Sequence, residues 1–514
     1  MQMTRRRLIQ RGGALLAVSG GGLLAACQSG PQAAAPTTAP APAAAPASSP
    51  ANAPAGSPGA VTAKPAVSPL PAASPSPVAA PALSPVAAAS PSPVAAAPSA
   101  AAPFSGKQMY QQDAQHTGRS PFAGPQRPTL QRSFDSSLPQ NMPPDPVTPR
   151  PDFQSSSVIG ADGTIYIANF PGVLFALRNS SSASDQLEAA WRFHPPAGSS
   201  LHATPALSAD GQTVYLGFSF GGFQGTPSAT LYALKAPASG TDAQVAWSVD
   251  LGASRVMASP TVGPDGVIYL GTNGTGLFAV NPSGSVKWTA QTGPALKSAP
   301  ALGADGTVYH ATTDGKMYAV SPQGQVKWTF DFGEHLGQTP LVTATPTTAG
   351  GGGGGANGIG SGASPTVGPD GTIYIGANNS NMYAVAADGS MKWLFEAERE
   401  LAGIWTTPVL SPDGSVIYFG ANKGGIYAVN TRDGTRKWQF PVYGSIYASS
   451  VLDSRGVLYT GTTIEQVYAL NSSTGQQVWA FDARDQVWCA PSIRPDGTLV
   501  FANRAGLIEV IGNG

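Results

Sequence analysis

Cysteine is nearly missing from this chain: Cys27 and Cys489 are the only two in 514 residues. Such a pair supplies no disulfide framework, no cysteine metal cluster and no vicinal disulfide. Charge is sparse too, at 11% Asp, Glu, Lys and Arg, and no acidic residue precedes position 106. The bases there are Arg5, Arg6, Arg7, Arg11 and Lys64, which leaves 23 basic against 28 acidic residues beyond them. The formally neutral chain therefore has a mildly acidic body, without the basic stripe that nucleic-acid binding needs. The apolar run near the N-terminus is short and glycine-broken, unlike a stop-transfer helix. The five histidines, His116, His194, His202, His310 and His335, have no metal-ligand spacing. A Walker loop is absent.

What is present divides the chain in two. "TRRRLIQRGGALLAVSGGGLLAAC" has the charged, apolar and small-residue parts of a signal peptide over residues 1–26. Thr4-Arg5-Arg6-Arg7-Leu8-Ile9 resembles a twin-arginine export motif, and Leu24-Ala25-Ala26-Cys27 resembles a lipobox, with Cys27 the lipidated residue. Residues 27–105 are almost wholly Ala, Pro and Ser. They hold too little large apolar surface to offset ordering entropy, so a disordered tether is expected. Folded structure is expected over 106–514.

That body repeats one unit eight times. "SPTVGPDGTIYIG" (364–376) recurs as "SPTVGPDGVIYLG" (259–271) and "APALGADGTVYHA" (299–311), with five looser copies. Each pairs a short apolar run with an Asp-Gly turn and an alternating β-branched and aromatic run, a β-hairpin pattern. A third run such as "GIYAV" follows, then a fourth bearing Trp191, Trp247, Trp288, Trp328, Trp393, Trp438 or Trp479. Four up-and-down strands per unit make a propeller blade, so the fold expected is all-β and eight-bladed. The last three strands lack a fourth. "PTLQRSF" (128–134) supplies it, with Phe134 expected in the tryptophan's place, closing the ring. Asp162, Asp210, Asp265, Asp305, Asp370, Asp413 and Asp496 fall in the hairpin turns, where turn geometry accounts for them. The glycine-rich segment 343–363 interrupts the fifth unit as a flexible insertion.

The frame Ala-x-Asn-x-x-Asp/Thr-Gly-x-x-x-Trp, as in 428–438 and 469–479, resembles the repeat of the pyrroloquinoline-quinone (PQQ)-like propeller family. The lead-in "DAQHTGRSPFAGP" (113–125) is similar to the segment preceding such propellers. The resemblance implies one of two functions. Quinoprotein dehydrogenases of the family hold PQQ and Ca²⁺ on the axis and oxidise alcohols or sugars. The BamB-like branch of envelope lipoproteins has no cofactor and serves as a scaffold. With no vicinal cysteines and no convergent acidic cluster, the sequence favours the scaffold: no enzyme, no cofactor, no metal.

One column varies where its neighbours are uniform. Three residues before the Pro or Ser of strand one stand Gln154, His202, Met257, Lys297, a glycine (Gly337 or Gly362), Trp405, Tyr447 and Trp488. The chain there turns in toward the axis, so these residues should ring one mouth of the channel. Trp405, Tyr447 and Trp488 would form an aromatic arc opposite His202, Met257 and Lys297, suited to ligand contact. The expected protein is a monomeric, lipid-anchored envelope lipoprotein facing the periplasm or cell exterior. Its expected partner is an envelope protein or polysaccharide.

Overall fold

A computed structural model describes residues 109–514 except 139–140, 142–150, 197, 221–226, 275, 296, 334–360, 398–402 and 423. All of these lie in one compact unit, 95–514. The signal peptide, Cys27, the tether 27–105 and most of the insertion 343–363 fall outside the described residues. The body is eight four-stranded antiparallel sheets set in a ring. Blades 1 to 7 span residues 158–193, 206–250, 261–290, 301–331, 366–396, 409–440 and 451–482. Blade 8 joins three C-terminal strands to the N-terminal strand Pro128–Asp135. In blade 5 the innermost strand is Thr366–Val367, so "SPTV" and not "TPLV" begins it.

The Asp-Gly turns build each inner hairpin by local hydrogen bonding. In blade 4 the N–H of Thr307 donates to Asp305 Oδ1 at 3.0 Å, the Thr307 hydroxyl donates to Oδ2 at 2.7 Å, and Gly306 takes φ 77°. A side-chain-closed turn of this kind fixes the register of a first strand only two residues long. These aspartates are committed to turns.

The alanine of the repeat has a packing role visible in the register. In blade 3 Tyr269 pairs with Ala279 and Ala279 with Trp288, one row across three strands. Strands two apart are separated by roughly 9.6 Å, yet the Tyr and Trp rings of blades 1 to 7 meet at 5.5–5.9 Å between centroids. Only a side chain as small as Ala between them permits that approach. The indole then reaches the next blade. Trp247, Trp288, Trp328, Trp393 and Trp438 each donate Nε1–H to a carbonyl of the following blade's third turn, at 2.7–2.9 Å. They lie against that turn's glycine: a Cβ at Gly284 would stand 2.8 Å from Trp247, and one at Gly475 2.6 Å from Trp438.

Ring closure corrects one expectation. The strand Pro128–Asp135 does pair with Leu507–Asn513, but Val510 aligns with Arg132 and Ile508 with Phe134. In blade 1 the corresponding pairs are Ala176 with Trp191 and Leu174 with Phe193. Arg132 therefore holds the tryptophan's place, and Phe134 matches Phe193, packing on Phe175 at 5.2 Å. The physical reason lies in blade 1, whose third turn (180–186) is long and offers no glycine face. Main chain replaces the indole there: the Ser133 N–H donates to Asp185 O at 3.1 Å, and Ser133 bridges Gln186.

The lead-in threads the axis. Main-chain N–H groups of Leu302, Val367, Leu410 and Leu452, on blades 4 to 7, donate to the carbonyls of Ala114, Gln115, Thr117 and Gly118 at 2.8–2.9 Å. The His116 ring lies between Pro365 O (3.0 Å) and Thr261 Oγ1 (3.3 Å). Trp479, whose following blade has no third turn because its outer strand is Pro128–Asp135, donates Nε1–H to Pro125 O at 2.9 Å.

Candidate functional site

The variable column converges on one axial cup. Gln154, His202, Met257, Lys297, Gly362, Trp405, Tyr447 and Trp488 all line it, enclosing about 90 Å³. Gly362 is thus the blade 5 member, and Gly337 lies outside the described residues. At ~10–15 Å³ per water, that space suits roughly six to nine waters or one small ring. Tyr110 of the lead-in forms the floor, its hydroxyl bonded to Ser449 Oγ at 2.8 Å and Thr407 Oγ1 at 3.0 Å. The cup is therefore blind, and a ligand enters from the rim.

Beneath the rim runs a feature the sequence reading missed. Two residues after each rim position stand Ser156, Thr204, Ser259, Ala299, Ser364, Thr407, Ser449 and Ala490. In six of the eight, the main-chain N–H donates to the hydroxyl of the neighbour on the following blade. Thus Ser156 donates to Thr204 (3.0 Å), Thr204 to Ser259 (2.8 Å), Ala299 to Ser364 (2.9 Å), Ser364 to Thr407 (3.2 Å), Thr407 to Ser449 (2.8 Å) and Ala490 to Ser156 (2.8 Å). Only the two alanines break this circle, because they offer no hydroxyl. The signal was there, Ser or Thr in six of eight repeats, but beside proline it reads as turn chemistry.

One wall is aromatic. Trp405 and Tyr447 lie 5.3 Å apart at 48°, and Tyr447 and Trp488 4.8 Å apart at 54°. Arg504 stacks on Trp488, its guanidinium carbon 4.1 Å from the ring centroid, and donates to Asp152 Oδ2 at 2.7 and 3.1 Å. That pair fixes the Trp488 ring from behind. The opposite wall holds His202, edge-on to Phe170 at 4.9 Å, with Met257 and Lys297. Burial pushes the Lys297 ammonium below its ordinary range, and the Arg504 charge adds to the shift. Burial, with the Lys297 charge behind it, brings His202 down to about 3, so this imidazole is neutral at pH 7. Its Nδ1 and the Trp405 Nε1 are buried, without a hydrogen-bond partner among the described residues. The cup thus combines apolar faces, unpaired polar atoms and one desolvated cation.

The seven blade tryptophans lie away from this cup, in the seams between blades. Cys489, adjacent to Trp488, is buried, its thiol donating to Ala502 O.

The model of a family described as "Outer membrane protein assembly factor BamB" matches residues 227–354, 281–450 and 333–482. No curated protein matches the chain. Among solved structures, a europium-containing methanol dehydrogenase is similar at a TM-score of 0.59 and 11% identity, over 79% of this chain and 98% of that one. BamB from Moraxella catarrhalis is similar at 0.52 and 16%, over 75% and 97%. The quinohemoprotein alcohol dehydrogenase from Comamonas testosteroni is similar at 0.58 and 12%, over 79% and 80%. Identities this low speak for the fold alone.

The fold raises the question of PQQ with Ca²⁺. Calcium takes six to eight oxygen ligands, carboxylates prominent among them. Asp152, two residues before Gln154 of the rim, is held by Arg504, and among the described residues no group of three His, Cys, Asp or Glu converges. A lysine rather than a carboxylate set faces the cup. The residues present do not fit that cofactor and metal together.

Proposed function

We propose, on the premise that the chain belongs to the PQQ-like β-propeller repeat family, that it is a non-enzymatic binding module of the cell envelope. In this reading Cys27 carries a lipid anchor and residues 27–105 form the tether. The propeller acts as a monomer facing the periplasm or cell exterior. It engages an envelope protein or polysaccharide through the cup and the loops around it. The observation that carries the reading is the blind cup. Three aromatic rings on consecutive blades form one wall, a floor of Tyr110 closes it, and Asp152 beside the rim is held by Arg504. Surfaces of that composition bind by area and hydrogen bonding rather than by acid–base chemistry. The matched family's description as an assembly factor of the outer membrane agrees with an envelope partner.

The test is capture of envelope protein and polysaccharide by the full chain against W405A/Y447A/W488A, with thermal melting as the folding control. At least a tenfold loss of capture with unchanged folding is expected. Equal capture by both proteins would reduce the arc to packing. A parallel titration with PQQ and Ca²⁺ should give neither cofactor absorbance nor dye-linked alcohol oxidation; turnover there would restore the dehydrogenase reading.

A further inference from the structure

We infer that the cup takes a carboxylate-bearing sugar, a uronic-acid residue at the end of an envelope polysaccharide, with its ring on the aromatic arc and its carboxylate on Lys297. The inference deepens the binding reading and rests on it.

Three observations converge. The first is charge. Lys297 lines the cup, and among the described residues no carboxylate pairs with it, whereas the neighbouring cation Arg504 is held by Asp152. An ammonium kept partly out of water without a counter-ion is costly unless a ligand supplies one. The second is shape. The tilted rings of Trp405, Tyr447 and Trp488 make a curved apolar wall, which suits the C–H face of a pyranose better than a flat heteroaromatic. The third is polarity. Gln154, Ser156, Thr204 and Ser259 line the cup, so a hydroxyl-rich ligand finds partners there that an aliphatic acid does not. The volume, about 90 Å³, admits one ring, which makes the recognised residue terminal. An extended peptide strand would need a longer groove.

Calorimetric titration of the full chain tests this with a tetragalacturonide, a neutral tetragalactoside of equal length, acetate, a peptide with a free C-terminal carboxylate, and PQQ. The galacturonide should bind at least tenfold tighter than the neutral sugar, with acetate and peptide weaker still. Lys297→Gln should bring the two sugars within about twofold of each other while keeping the melting temperature, and W405A/Y447A/W488A should abolish both. Equal binding of the two sugars by the unaltered chain, or a preference that survives Lys297→Gln, would overturn the acidic-sugar inference while the cup remains a binding site. A peptide or PQQ binding more tightly than the galacturonide would overturn it in favour of that ligand. Absence of any binding, together with undiminished envelope capture by the triple variant, would overturn both this inference and the reading beneath it.

Discussion

His310 shows how a single residue departs from the repeat and what that costs. Its counterpart in the second strand is apolar in six of the seven other blades, as with Leu270 and Ile375, Thr460 being the exception, and it is fully buried with neither ring nitrogen partnered among the described residues. Burial lowers its pKa from 6.5 to about 4. A depressed histidine contributes full stability above pH 6.5, and that contribution falls away as pH drops toward 4, by about 1.4 kcal/mol per unit. His310→Leu should therefore raise stability by roughly 1–3 kcal/mol at pH 7.5 and by about 2 kcal/mol more at pH 5, read by urea denaturation at both pH values. An equal gain at both would mean that His310 is not held neutral. Glu509 is a second departure, standing where Phe175 stands in blade 1; it is fully buried against the half-exposed Arg484. Burial raises its pKa, partly offset by Arg484. Glu509→Tyr, restoring an aromatic, is expected to be neutral or stabilising by up to ~2 kcal/mol, below the range for a wholly buried pair because Arg484 is screened by solvent.

Between blades, the repeating contact is an indole on a turn glycine. Gly475 has φ 73°, and its position leaves no room for a Cβ under Trp438. Gly475→Ala should lower the melting temperature by several degrees, through roughly 1–3 kcal/mol of backbone and packing strain, whereas Gly198→Ala, with open space around it, should pay only the backbone part. The hydroxyl circle makes the opposite prediction. Ala299→Ser and Ala490→Ser place hydroxyls where Ser259 and Ser449 can reach them, and each should add about 0.5–1.5 kcal/mol. Much of this level was legible in sequence. Asp-Gly turns, alternating strands and the recurring tryptophan gave every blade, because each signal is local. The sequence reading put Phe134 in the tryptophan's place, which Arg132 occupies. The Trp-x-Phe pattern, seen in "WRF" and "WLF", places "RSF" correctly, with Arg132 first. The hydroxyl circle stayed hidden because its bonds join residues 42 to 65 positions apart, and 334 apart where Ala490 meets Ser156.

At the scale of the molecule, closure makes the cup. Trp488 of blade 8 and Gln154 of blade 1 come to one rim only because the chain's two ends share a sheet. The rim column was readable from its variability against uniform neighbours; the floor was not, since Tyr110 precedes the repeats and its partners Thr407 and Ser449 are distant in sequence. The most direct measurement of the account is hydrogen exchange along Pro128–Asp135. A sealed ring predicts that the paired amides of this strand exchange as slowly as those of Leu507–Asn513, through the same global opening. Fast exchange at 128–135, with slow exchange retained in the other strands, would mean an open seam between blades 8 and 1 and would contradict both the closure and the cup built on it.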